Sequence, residues 1–302
     1  MYTRGTTCRR GEWLAVSLPH VVVLLGVLSV SSASILFKFA SAAPLTVAFY
    51  RLALSVVILA VPLVRRRVTW GKGRDLWLNI LSGLFLALHF ATWFFSLQLT
   101  SVASSTALVS THPLIVLLVG YVAWGERPRG LAVVGVGMSV LGAVLVGWGD
   151  FRMDTRALQG DLLAFAGAIT VSGYFLIGRH VRQRVDALAY SVTAYSSASL
   201  ALLVMAVLWG SPLTGFDPGN WGIFAALAIF PTIFGHTLFN WALKHLPASV
   251  ISVNILGEPV GATLLAWAIW RALPGPTALV GGVCILSGIG LFLWTQRTTS
   301  NQ

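Results

Sequence analysis

Ionisable side chains are rare inside the long apolar stretches of this sequence, and those that occur there are the best candidates for chemistry. Glu258 is an acid in the middle of such a stretch, and Asn254 lies one helical turn before it on the same face. A charged group at bilayer depth costs about 2.5 to 3.5 kcal/mol on insertion scales, so it needs a partner or a wet cavity. Glu258 is therefore interpreted as a proton carrier or ammonium anchor, or as a structural carboxyl that bonds backbone freed by Pro259.

A repeat in the sequence pairs Glu258 with His112, because similar residues recur at an offset of 146 positions. Each of the two residues is followed by a proline, Pro113 or Pro259, and the paired prolines predict hinges within two helices. Transporters built from repeats place their sites at such interrupted helices. The other matches at this offset are Trp124 with Trp270, Pro128 with Pro274, Gly135 with Gly281, Gly142 with Gly288 and Trp148 with Trp294.

Two stripes of polar and aromatic residues at helical spacing are also candidates for lining a cavity. His89 and Trp93 are one turn apart, and so are His236 and Asn240, which Trp241 follows. Such faces suit a cavity that stacks on and hydrogen-bonds an amphipathic solute. The alternative is that these side chains join helices to one another.

Three more polar residues lie within apolar stretches. Lys38 is near the predicted outer end of its helix, where its ammonium group can reach the lipid headgroups. Arg51 is about two turns into the next helix, and it is interpreted as a partner for a solute carboxylate or for a helix C-terminus, or as a structural cation. Tyr174 offers a hydroxyl group to the same predicted cavity.

The composition places the chain in a membrane. Hydrophobic residues make up 57% of the sequence, charged residues 10%, and the mean hydropathy is +0.83, whereas soluble domains carry about 25% charged residues. Only two cysteines occur, and neither has the spacing of a metal site or of a disulfide framework. The net charge of +11 comes from Lys and Arg in short loops, which is typical of topology signals rather than of a nucleic-acid surface.

Apolar runs separated by polar turns predict an all-α membrane protein of ten transmembrane helices. The basic N-terminus resembles a signal peptide, but the apolar run after it is too long for one. The predicted helices are 18–40, 44–64, 77–99, 102–124 and 130–149, then 160–179, 188–209, 221–243, 248–270 and 275–295. The corresponding organisation is a tail at 1–17, a first five-helix repeat at 18–149, a second at 160–295 and a tail at 296–302.

The distribution of Lys and Arg predicts the orientation. With the N-terminus inside, 15 of these residues lie on the cytoplasmic side and 3 outside, so both termini are predicted to be cytoplasmic. Five helices are an odd number, and the second repeat must therefore enter the membrane from the opposite side. Inverted repeats of this kind are an architecture of transporters, in which two halves open a shared site to either side in turn.

The repeat resembles a known family. The stretch from Phe94 to Gly147 has a mid-helix Pro113, a Gly-Glu-Arg-Pro turn and a glycine-rich fifth helix, and it resembles the EamA-type repeat of the drug/metabolite transporter superfamily. The second copy keeps Glu258-Pro259 but departs at the turn. The resemblance implies a ten-helix secondary carrier of the bacterial inner membrane with a central cavity. A narrower resemblance is to bacterial exporters of aromatic and other neutral amino acids.

The predicted function is export of small metabolites, with neutral or aromatic amino acids as the substrate class, by alternating access. Two alternatives are a proton-coupled exporter of drugs or other cations, and a carrier of sugar phosphates or nucleotide sugars. Enzymatic function is not predicted, since the sequence lacks a nucleophile with its base and a metal constellation. The expected partners are a small-molecule substrate and the lipid bilayer, with proton coupling left open; no nucleic acid, cofactor or metal is expected.

The charge bias leads to a test of orientation on a Cys8→Ser, Cys284→Ser background. A cysteine at Arg67 is expected to resist a membrane-impermeant maleimide in intact cells, whereas a cysteine at Ser211 is expected to be labelled, because the loop at 211–219 is predicted to be outside. Mass spectrometry of the purified protein measures the labelled fraction. Labelling at position 67 in intact cells would contradict the predicted orientation.

Overall fold

The computed structural model describes residues 10–125, 128–148, 154–271 and 273–300 of the chain. Within these residues ten helices are long and apolar enough to cross a membrane, and the predicted all-α class is confirmed. They are α1 Leu18–Phe39, α2 Pro44–Arg65, α3 Arg74–Leu99, α4 Ser104–Trp124, α5 Gly130–Gly147, α6 Thr155–Val181, α7 Ala187–Leu208, α8 Gly219–Ala242, α9 Ala248–Trp270 and α10 Pro276–Gln296.

Several helix ends differ from those expected from the apolar runs alone. Helix α6 begins five residues earlier, at Thr155 rather than 160, because the Asp154 side chain accepts a hydrogen bond from the Ala157 amide at 2.8 Å and caps the helix. Helix α3 begins at Arg74 rather than 77. Capping and first-turn residues are polar, so an apolar run begins several residues after the true start of the helix.

Four of the ten spans are not continuous α-helices. The first consists of Arg10–Val30 and Ala33–Phe39, separated by a turn at Ser31 and Ser32. The other interrupted spans are α4, with segments Val102–Val109 and His112–Trp124; α8, with Gly219–Leu227, a π-helix at Ala228–Thr237 and Leu238–Ala242; and α9, with Ala248–Ile255 and Glu258–Trp270.

The breaks in α4 and α9 fall at equivalent positions of the repeat. In each, a first segment stops, two residues turn, and a second segment begins at His112 or Glu258 with the predicted hinge proline in its first turn. Proline is tolerated there because a first-turn amide has no helical partner to lose. Each second segment also ends at a left-handed residue, Gly125 with φ 66° and Arg271 with φ 56°. The two five-helix repeats thus share the backbone irregularity as well as the sequence pattern.

The contact between α5 and α10 shows that the repeats are related by an approximate two-fold axis. Ser139 on α5 donates a hydrogen bond at 3.0 Å to the carbonyl of Ile285 on α10, which is its own repeat equivalent. A residue that contacts its own equivalent lies close to the axis. Glycines cross this interface in two pairs, Gly135 with Gly288 and Gly142 with Gly281. Because the earlier residue of one helix meets the later residue of the other, the two helices are antiparallel, as inverted repeats require.

The remaining helices follow the same symmetry around the centre of the bundle. Helix α3 packs along α6, and α1 packs along α8. These two pairs are equivalent, because α3 corresponds to α8 and α1 corresponds to α6 in the repeat. Helix α2 packs along its own counterpart α7. This arrangement directs the broken segments of α4 and α9 toward a common interior together with α1, α2, α3, α6 and α8.

Close backbone approach at the α5–α10 interface leads to a stability prediction. A Cβ atom on Gly142 would lie 2.6 Å from the Gly281 carbonyl oxygen, so Gly142→Ala is expected to lower the free energy of unfolding by about 1 to 3 kcal/mol through overpacking. Gly137 on the same helix has open space around it and is the matched control. Gly137→Ala should be neutral or gain up to ~1 kcal/mol from helix propensity. Thermal unfolding of the detergent-solubilised variants measures the difference, and equal melting temperatures would contradict the proposed contact.

Candidate functional site

A small cavity lies inside the bundle beside the breaks in α4 and α9. Its volume is about 40 Å³, and one water needs about 10 to 15 Å³ measured in the same way. The space therefore admits a few waters but not an amino acid, which makes this a closed conformation of the site. The polar and aromatic residues that line it are Arg51, His89, Trp93, His112, His236 and Glu258. Valine, isoleucine, alanine and phenylalanine side chains complete its wall.

Arg51 supplies a buried cation on one side of the cavity. Its side chain is 1% exposed, its guanidinium carbon lies 4.1 Å from the centre of the Phe90 ring, and its Nε donates to the Thr232 hydroxyl at 2.7 Å. Its Nη1 is buried and has no hydrogen-bond partner among the residues that the structure describes. A guanidinium presents parallel donors that match a carboxylate, so this arginine is held in place and retains a donor for a solute.

Three histidines and a tryptophan add further polar atoms. The Nδ1 atom of His89 is 3.0 Å from the Gly167 carbonyl oxygen, and its ring stacks on Trp93 at 5.9 Å with 9° between the planes. The Nδ1 atom of His112 is 3.1 Å from the carbonyl oxygen of Val109, the last residue before the break in α4. Three other buried atoms have no partner within the described part of the chain: Trp93 Nε1, His112 Nε2 and His236 Nδ1. Unsatisfied polar atoms at one cavity are costly unless a polar ligand binds there.

Glu258 brings a carboxyl group to the same cavity. It is the first residue of the second segment of α9, where the positive end of the helix dipole favours a negative charge. The described residues contain no ion pair between Glu258 and Arg51. The cavity therefore holds a guanidinium group and a carboxyl group that are not paired with each other, and Trp93 lines the wall with them.

Tyr174 and Asn240 lie in a hydrogen-bonded network outside the cavity lining. The Tyr174 hydroxyl donates to Asn240 Oδ1 at 2.6 Å, and Asn240 Nδ2 donates to Ser191 Oγ at 3.0 Å and to the Tyr195 hydroxyl at 3.3 Å. Asn240 is fully buried, and its side chain joins α8 to α6 and α7. The expectation that these two residues line the cavity differs from the structure, because their polar groups are occupied by neighbouring helices.

Three other predicted residues also lie away from the cavity. Trp241 lies on another face of α8 from Asn240 and lines a separate pocket near the end of that helix, and its ring contacts that of His245 at 4.4 Å with the planes tilted by 41°. The amide of Asn254 donates to the Val250 carbonyl of its own helix at 2.7 Å. Lys38 is exposed and lines a second pocket at the opposite end of the bundle. Lys38 lies outside the cavity because of its position along the helix, since each turn moves a side chain about 5.4 Å along the axis. Trp241 lies outside it because it is on another face.

The sequence reading missed Thr232, which positions Arg51. Pro231 has no amide hydrogen for an α-helical bond, so the helix is π-helical here, and the Thr232 hydroxyl donates to the Leu227 carbonyl at 2.8 Å. The same hydroxyl accepts from Arg51. Pro231 within an apolar run was the available signal, because prolines and π-helical segments within helices accompany functional sites.

Polar contacts join the helices at the end of the bundle that is predicted to be cytoplasmic. Arg184 forms an ion pair with Asp75 at 2.8 Å, and hydrogen bonding to that carboxylate raises the pKa of Arg184. Arg182 donates from Nε to the Asn240 carbonyl at 2.7 Å and from Nη1 to the Val185 carbonyl. These bonds join the start of α3, the connection between α6 and α7, and α8. No group of three or more metal-binding side chains occurs in the part of the chain that the structure covers.

Comparisons with known proteins agree with this architecture. The model of the EamA-like transporter family matches residues 17–148 and again 158–294. The pseudopaline exporter CntI of Pseudomonas aeruginosa is 23% identical over 277 residues, which are 87% of this chain and 93% of that protein. The uncharacterized transporter YxxF of Bacillus subtilis is 22% identical over 77% of this chain and 74% of its own. A chain of known crystal structure superposes with a TM-score of 0.79 at 20% identity, covering 93% of this chain and 99% of that one.

The ten spans and the family match in each half together indicate a multi-pass membrane transporter. The chain belongs to the EamA-like transporter family, whose model matches it twice, once in each half.

The network around Asn240 leads to a second stability prediction. Asn240→Ala removes the partner of the buried Tyr174 hydroxyl and is expected to lower the free energy of unfolding by about 2 kcal/mol or more, since each buried group left unpaired costs about 1 to 3 kcal/mol. Asn254→Ala is the matched control, because that amide bonds only its own helix. Thermal unfolding in detergent separates the two. Equal destabilisation by both variants would show that the network does not stabilise the fold.

Proposed function

We propose that the protein exports small zwitterionic metabolites, with neutral or aromatic amino acids as the substrate class, by alternating access. The observation that carries this proposal is a guanidinium group, Arg51, and a carboxyl group, Glu258, that line one cavity without forming an ion pair. An α-amino acid has a carboxylate for the guanidinium and an ammonium group for the carboxylate. Trp93 and its stacked partner His89 offer a surface for an aromatic side chain.

Arg51 also argues against the alternatives. A buried guanidinium repels an organic cation in a low-dielectric cavity, which disfavours an exporter of cationic drugs. A sugar phosphate carries two negative charges, and Arg51 is the one Arg or Lys in the described lining of the cavity. Glu258 keeps proton coupling open, because a carboxyl that alternately binds a proton and an ammonium group would couple the two fluxes.

The alternation itself is proposed to use the breaks in α4 and α9. The second segments of the two helices begin at equivalent residues, His112 and Glu258, and each has its hinge proline, Pro113 or Pro259, in the first turn. Rocking of one repeat against the other would change these breaks together and expose the cavity to each side in turn. Export as the direction is supported by the relative named as a pseudopaline exporter. A bacterial inner membrane and cytoplasmic termini complete the proposal.

The assignment of the two charges can be tested with substrate analogues in proteoliposomes. Wild-type protein should exchange radiolabelled L-phenylalanine, and unlabelled phenylalanine should compete at least about tenfold better than phenylalaninamide or 3-phenylpropionate, since each lost charge contact is worth ~1.4 kcal/mol or more. The Arg51→Gln variant should lose the preference for phenylalanine over phenylalaninamide and keep the preference over 3-phenylpropionate. Glu258→Gln, which keeps shape and hydrogen bonding, should lose only the preference over phenylpropionate.

A uniform loss of folded protein does not affect this comparison, because the competing analogues are compared with one another on the same variant. Exchange without a gradient and uptake driven by an imposed pH gradient separate the two roles of Glu258. Loss of driven transport alone by Glu258→Gln would indicate a proton carrier, and wild-type behaviour in both assays would leave a structural carboxyl. Unchanged analogue preferences in both variants would contradict the assignment, and exchange of ethidium or glucose 6-phosphate instead of phenylalanine would favour the alternatives.

A further inference from the structure

A second pocket lies next to the central cavity and is larger. Its volume is about 150 Å³, and it lies at the end of the bundle where α1, α5 and α9 end and α4 begins. The residues of interest in its lining are Ser34, Lys38, Thr106, Thr263, Pro259 and Trp270. We call this pocket the vestibule. In the predicted orientation it is on the outer side of the membrane.

The vestibule and the central cavity are lined by adjacent parts of the same three helices. On α1, Ala33 lines the cavity and Ser34 the vestibule, and on α9 the neighbours Glu258 and Pro259 divide in the same way. On α4, Val109 and Thr106 are one turn apart. A solute that leaves the cavity toward this end therefore passes through the vestibule.

Two buried hydroxyl groups in the vestibule, like Ser252 on α9, lack the hydrogen bond that most hydroxyls of the membrane helices make. Ser and Thr in such helices commonly donate to a carbonyl of the preceding turn, as Ser31 does to Val27 at 2.8 Å and Thr263 does to Pro259 at 2.7 Å. Ser34 and Thr106 are 1% and 5% exposed, and neither hydroxyl oxygen has a partner in the described structure. Their donors are thus available to a ligand.

The charge of the vestibule defines the ligand. Lys38 contributes an ammonium group, and no acidic side chain lies in the described lining. Trp270 stacks on Phe39 with ring centres 5.8 Å apart and contributes an aromatic surface to the same lining. Hydroxyl donors and an ammonium group without an acid suit a carboxylate, and the indole suits an apolar group attached to it.

We propose that the vestibule is a second binding site that holds the carboxylate of the exported solute after it leaves Arg51, with Lys38, Ser34 and Thr106 as its ligands. The proposal rests on the proposed export of carboxylate-bearing solutes through the central cavity. The central cavity, at about 40 Å³, is too small for such a solute, whereas the vestibule is several times larger.

Protection of a cysteine tests this site without any transport. Thr263→Cys on the Cys8→Ser, Cys284→Ser background places a thiol in the vestibule at a hydroxyl that is committed to its own helix. In phosphatidylcholine vesicles, methyl methanethiosulfonate, a small neutral reagent, should modify this thiol, and 3-phenylpropionate and L-phenylalanine should both slow the modification. Phenethylamine, which lacks the carboxylate, should not.

Matched variants identify the anion contact. Adding Lys38→Gln should raise the half-protecting concentration of 3-phenylpropionate about tenfold or more, the loss expected for one charge-assisted contact, while Lys38→Arg should retain protection. Ser34→Ala with Thr106→Val should weaken it further. Equal protection by phenethylamine, or no protection by either carboxylate, would overturn the proposal. Protection by phosphatidylglycerol vesicles without solute would instead identify a lipid headgroup site and also overturn it.

The outcome is separable from that of the proposed function. Protection by carboxylates without phenylalanine exchange would leave the vestibule as an anion site and contradict amino-acid transport. Phenylalanine exchange without protection by carboxylates would support amino-acid transport and contradict the vestibule as a binding site.

Discussion

A guanidinium group buried inside a bundle of apolar helices is the constraint on which the centre of this structure depends. A buried guanidinium group needs hydrogen-bond partners for its N–H donors. In Arg51 the Nε donor has such a partner, whereas Nη1 has none among the described residues. Its Nε donates to the Thr232 hydroxyl, and that hydroxyl donates in turn to the Leu227 carbonyl in the π-helical stretch that contains Pro231. The irregular stretch of α8 therefore positions the guanidinium that lines the cavity, and Phe90 supports it from α3.

The bilayer imposes a second constraint, since backbone that is not hydrogen-bonded is tolerated only away from lipid. The interruptions in α4 and α9 satisfy it by facing the interior, where the Val109 carbonyl meets the His112 ring. At the other extreme, α5 and α10 approach so closely through glycines that their backbones are in contact. The repeats thus pack closely along α5 and α10, whereas α4 and α9 are broken at equivalent positions. Relative movement of two halves needs such a combination of a close contact and flexible breaks.

The sequence predicted the architecture well because its signals are redundant there. Apolar runs, loop charges and matched prolines, tryptophans and glycines all indicate ten helices in two repeats, and the class and family are confirmed. The site was harder to predict. Helical periodicity places His89 beside Trp93, but it does not show that Arg51 bonds a residue 181 positions away. It also grouped Asn240 and Trp241 with the cavity, whereas one is enclosed by α6 and α7 and the other is about 100° further around the helix. The roles of all these residues in transport stay predictions.

The two-fold relation between the repeats is obeyed by the backbone and broken by the side chains at the site. The same position carries His112 in one half and Glu258 in the other, and the left-handed position after the following segment carries glycine in one and arginine in the other. A fully symmetric site would accept a solute equally well in two opposite orientations. If solutes bind as proposed, a guanidinium, a carboxyl group and an indole at three distinct points would distinguish the ends of a bound molecule, and three points of attachment are also what a site needs to distinguish a molecule from its mirror image.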